Sequence, residues 1–142
     1  MTKTLIRIAA TLTILATFAA AQSNFTFSKT ETANVPFSFN VGDRIFPAGV
    51  YTVQLDHEKQ VLVIRGEDRK PLMLLANNEE SKDTPKTSQL VFRRVGDHFF
   101  LKEAWVQGSN QGQSLPSGVY EKEIARRQNH VAQKITVQAQ AR

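Results

Sequence analysis

Short apolar segments broken by turn residues run from Val35 to Val106, and this punctuation constrains the chain to an all-β sandwich or barrel. Val35, Phe37, Phe39 and Val41 alternate with Pro36, Ser38 and Asn40, which sets four apolar side chains on one face of a pleated strand. Gly42-Asp43 ends that strand. Pro47-Ala48-Gly49 turns the chain again, since Pro presets φ and Gly accepts positive φ. Tyr51, Val53 and Leu55 then face one way, and Thr52 and Gln54 the other. Asp56-His57-Glu58-Lys59 reads as a hairpin loop into Val61-Leu62-Val63-Ile64, and a charged turn leads on to Leu72-Met73-Leu74-Leu75. These two runs do not alternate, which predicts burial on both faces or cover by another element. Residues 77–88 are polar and charged and read as a mobile surface loop.

The clearest hairpin spans Leu90 to Val106, with Gly96-Asp97 at the two-residue turn spacing. Pairing outward from that turn sets Val95 against His98 and Phe92 against Leu101. One face then carries Leu90, Phe92, Phe99, Leu101 and Trp105, and strand parity sends Arg94 and Glu103 to the same side. An ionic side chain on a core face must be paired, solvated in a cavity or placed at the rim. The structural reading is a rim position or a salt bridge to Arg65 or another strand. The functional reading gathers Tyr51, Arg94, Glu103 and Trp105 into a polar-aromatic pocket in the mouth of a small barrel, where such folds hold ligands. The string Val41-Gly42-Asp43-Arg44-Ile45-Phe46 echoes Val95-Gly96-Asp97-His98-Phe99-Phe100, and shared turn chemistry explains the echo more simply than a duplicated half-domain.

Beyond the hairpin, residues 107–113 read as a loop from their Gly, Ser, Asn and Gln content. Ser117 is placed to cap a helix through about His130, with Glu121 and Glu123 early and Arg126, Arg127 and His130 late, as the helix dipole favours. The expected organisation is an N-terminal extension over 22–34, a β domain over 35–116, a C-terminal helix over 117–134 and a frayed tail over 135–142. The predicted fold is all-β and mainly antiparallel: a small barrel or β-meander of about six or seven strands with one C-terminal α-helix.

Residues 1–21 carry the three zones of a secretory signal peptide. Lys3 and Arg7 form a cationic start, Ile8 to Phe18 an apolar run, and Ala19-Ala20-Ala21 a small-residue cleavage site. The expected cut falls between Ala21 and Gln22. The apolar run is shorter than the roughly 20 residues a spanning helix needs. No cysteine is present to carry a lipid or form a disulfide. The expected mature product is therefore soluble, periplasmic or secreted, and free of any stable membrane span. Removing Lys3 and Arg7 from 18 basic residues leaves 16 against 13 acidic ones, a net charge of +3. That balance is too mild and too scattered for nucleic-acid binding, which uses a dense basic face.

No catalytic, cofactor or metal motif emerges. His57, His98 and His130 lack ligand spacing to one another or to carboxylates, no G-x-S-x-G elbow occurs, and the Gly108–Gly112 stretch lacks the lysine of a phosphate loop. Three segments resemble a group of small exported proteins of acidobacterial type: Val35 to Asp43, Phe46 to Val53 and Val95 to Trp105, followed by Leu115-Pro116 and a charged helix. The resemblance implies an exported, compact β domain and carries over no active-site residue. The expected function is that of a non-enzymatic exported domain that binds a small ligand or an envelope partner, without a cofactor. The alternative is a structural or interaction protein that docks through its basic C-terminal helix.

Overall fold

The computed structural model describes residues 28–127 and 131–142. The expected signal peptide with its expected cleavage residues Ala19, Ala21 and Gln22, and His130, lie outside the described residues. Within them the chain forms eleven strands and one helix. In order these are β1 (Ser28–Val35), β2 (Phe39–Val41), β3 (Arg44–Phe46), β4 (Gly49–Asp56), β5 (Val61–Gly66), β6 (Leu72–Leu75) and β7 (Asn77–Glu80). There follow β8 (Ser88–Val95), β9 (His98–Trp105), β10 (Gln111–Ser114), α1 (Val119–Arg127) and β11 (Gln133–Ala141). No helix among the described residues is long and apolar enough to cross a membrane.

The strands make one curled, mixed sheet that wraps into a half-barrel, in the order β3-β2-β9-β8-β11-β1-β4-β5-β6. All pairs are antiparallel except β2 with β9. The two arms of the curl are bridged at one end. β6 pairs with β5, β7 pairs with β10, and β10 pairs with β9, while only Ala76 separates β6 from β7.

The inner face is largely apolar because alternate residues of each strand point there, with Glu31 and Gln113 buried among them. Tyr51, Val53 and Leu55 of β4 are buried as their alternation predicts, and they meet Leu62 and Ile64 of β5, Phe92 and Leu90 of β8, and Leu101 of β9 in one core. Its aromatic end is tightly interlocked. Phe39 packs edge-on against Tyr51 and Phe92, at centroid distances of 5.0 and 5.2 Å, and Phe37 stacks on Phe99 at 4.0 Å. Edge-to-face contacts of this kind add to the burial of the rings themselves.

The two echoing strings build the same turn. Gly42 and Gly96 both sit at φ of 59°, with Val41 opposite Arg44 and Val95 opposite His98. Glycine in the first central position is what a two-residue hairpin of the II′ kind requires.

Several expectations are corrected. The extension over 22–34 contains β1, which lies at the centre of the sheet between β11 and β4. The presumed loops at 77–88 and 107–113 hold β7 and β10, which pair with each other. The tail over 135–142 is not frayed: β11 takes in Lys134 as well and lies between β8 and β1, so the helix does not reach residue 134. Of the two arrangements expected for Leu72–Leu75, the strand has one covered face: Leu72 and Leu74 pack against the core, while Met73 and Leu75 are 59% and 79% exposed. The pairing partners explain the strands found at 28–35, 77–80, 111–114 and 133–141. Polar segments such as Asn77–Glu80 enter a sheet when a neighbour satisfies their backbone, whatever their own propensity.

Candidate functional site

The β8–β9 hairpin has the register read from its turn as far as Phe92 opposite Leu101, and then it slips. Lys102 is an extra residue on β9, so Val91 faces Glu103 and Leu90 faces Ala104. A β-bulge of this kind reverses which side of the strand later residues occupy. Ala104 therefore joins the core, and Glu103 and Trp105 point to the outer face. The expectation that Glu103 and Trp105 share the core side with Leu90 is thereby corrected.

The four residues read as a pocket are placed in three environments. Tyr51 lies in the aromatic core, and its hydroxyl donates to the Pro47 carbonyl at 2.6 Å. Burial pushes the Tyr51 phenol above its usual pKa of 10.0, and Arg69 pulls weakly the other way. Arg94 keeps its inward parity but sits at the hairpin tip, which is the rim. There its Nε donates to the Gly96 carbonyl at 2.9 Å, and its guanidinium lies 5.5 Å from the centre of the Phe99 ring.

Glu103 and Trp105 are brought together. The indole Nε1 donates to Glu103 Oε2 at 2.8 Å, and Lys134 Nζ, not Arg65, stands 3.6 Å from the same oxygen. The indole ring lies over Gly112 of β10, its cross-strand neighbour. A methyl group added at Gly112 would come within 2.5 Å of Trp105 Cε3, so glycine is what lets the ring lie flat there. These contacts fix a half-buried aromatic plate beside a carboxylate. Together with Gln89, Lys134, Ser81 and Pro85 they line a hollow of about 260 Å³.

No family model matches the chain, and neither curated proteins nor solved structures yield a match.

A neighbouring hollow of about 310 Å³ shares Glu103 and Lys134 and extends to Arg93 and Lys102. Those two cations hold α1 to the sheet. Arg93 Nη1 and Lys102 Nζ reach the two oxygens of the buried Glu121 at 3.3 and 3.1 Å, and Lys102 also donates to the Ser117 hydroxyl at 2.9 Å. Tyr120 packs edge-on against His98. The helix is thus fastened to the outer face beside the hollow through its acidic first turn. Sequence reasoning missed Lys134, which it assigned to the helix, and Gly112, which it assigned to a loop. The alternation of Ile135, Val137 and Ala139 with Thr136, Gln138 and Gln140 was the signal that a strand carries Lys134.

Proposed function

We propose that the chain is an exported, non-enzymatic β domain that binds a small ligand on the outer face of its β8–β9 hairpin, as its resemblance to small exported proteins implies. The observation that carries this reading is the Trp105–Glu103–Lys134 arrangement. An aromatic plate, a carboxylate acceptor and an ammonium donor converge on one hollow, held by the bulge at Lys102, by Gly112 and by β11. Small-molecule sites combine an apolar surface with a few placed polar groups. A sugar ring suits this set, because its C–H face can lie along the indole while its hydroxyls meet Glu103, Gln89 and Lys134. The inner face is mostly filled by packed aromatic and aliphatic side chains, with Glu31 and Gln113 buried among them, and this packing favours an outer site over one inside the curl.

Trp105 is the single tryptophan in the sequence, so its emission reports on this hollow alone. Titration with a panel of neutral and amino mono- and disaccharides is expected to give a saturable emission change with at least one member. Glu103→Gln should weaken that binding about tenfold, the worth of one hydrogen bond to a charged group. A flat response to the whole panel would contradict the reading.

A further inference from the structure

The outer face of β11, β1, β4 and β5 carries a second group of side chains whose register brings together two cations that form no ion pair among the described residues. Along one row Gln140, Thr32, Thr52 and Arg65 are direct cross-strand neighbours, and along the next Thr30, Gln54, Val63 and Met73 are. Arg142, just past β11, is tied to the second row by its N–H, which donates to the Thr30 carbonyl at 3.0 Å. Arg65 and Arg142 belong to strands three steps apart, roughly 14 Å at the backbone. Both nonetheless line the same hollow of about 420 Å³, together with Thr30, Thr52, Gln54 and Met73. No acidic residue lines this hollow, and none of the ion pairs among the described residues involves either arginine. Glu67 lines the adjoining hollow of about 410 Å³, which Arg65 and Arg142 also border, and it pairs with neither arginine among the described residues.

The end of the hollow beside Arg65, across from Arg142, is apolar: Met73 is 59% exposed, and Val63 and Pro71 lie beside it. Two guanidinium groups over a floor of hydroxyls and an amide form a receptor for an oxyanion, since Arg offers paired donors matched to carboxylate and phosphate oxygens. An exposed methionine next to them is an adaptable surface for an aliphatic arm. We infer that this face binds an organic anion, a carboxylate or phosphate monoester with an apolar arm, between Arg65 and Arg142 with the arm along Met73. The site is separate from the Trp105 hollow and does not depend on it.

Nuclear magnetic resonance titration of the protein with sodium hexanoate, against sodium chloride at matched ionic strength, tests the inference. Saturable shifts are expected for the Thr52 and Arg65 amides and for the Met73 methyl, with the Trp105 indole N–H unmoved. Arg65→Gln should weaken binding about tenfold, and Arg65→Lys less, because a point charge replaces a planar fork. Met73→Ser should weaken hexanoate binding severalfold while leaving acetate binding unchanged. Both positions are exposed, so equal melting temperatures for the variants and the parent would establish that the fold is intact. Shifts that match those of chloride, or hexanoate binding unaffected by Arg65→Gln, would overturn the inference.

Discussion

At the scale of single residues, Tyr51 shows how a polar tip is accommodated in an apolar core. Its ring packs against Phe39 and Phe46, and its hydroxyl donates to the Pro47 carbonyl. Tyr51→Phe removes that bond and should cost about 1 kcal/mol in urea unfolding at neutral pH. The pH dependence has a definite sign. The folded protein holds the phenolic proton above pH 10, where the unfolded chain releases it, so stability from this group is complete below about pH 10 and falls as pH rises further. The difference between parent and Tyr51→Phe should therefore shrink above pH 10; a constant difference would contradict the assignment. Phe39 is wholly buried against the rings of Phe46, Tyr51 and Phe92, and Phe39→Ala should cost about 3–5 kcal/mol, read by the same unfolding measurement.

At the scale of elements, the bulge at Lys102 and the glycine at 112 decide what the outer face can hold. Gly112→Ala would set its methyl 2.5 Å from the indole and 2.8 Å from the Ala104 carbonyl, so the ring must move. A cost of about 1–3 kcal/mol and a shifted tryptophan emission are expected. The helix α1 is held by Glu121, which is 3% exposed and serves two cations. Glu121→Gln should lower stability by about 2 kcal/mol, less than for a fully enclosed pair because Arg93 remains partly solvated. The β8–β9 turn was legible because Gly96-Asp97 fixes local pairing, and the strand from Tyr51 to Leu55 because its alternation is strict. The bulge was not legible, since no residue type marks where one strand gains a residue on another. That single slip moved Glu103 and Trp105 from the inside to the outside. β7 and β10 escaped notice because Asn, Glu and Gln have little strand preference, and the pairing of β7 with β10 and of β10 with β9 makes them strands.

At the scale of the whole molecule, β11 joins the two halves of the sheet, pairing with β8 on one side and β1 on the other. Removing 133–142 would expose both strand edges and strip Val137 and Ala139 from the core, so the truncated chain should fail to fold cooperatively, as read by circular dichroism. The same strand brings Lys134 to Glu103, which makes the outer hollow a product of the complete fold and not of the hairpin alone. The central claim is that ligand binds at this hollow and not within the curl. Its most direct test is a nuclear magnetic resonance map of the bound sugar. The account predicts that the lone indole N–H and the amides of Gln89, Glu103 and Lys134 shift together with one affinity; shifts confined to inner residues such as Phe39, Tyr51 and Phe92 would contradict it.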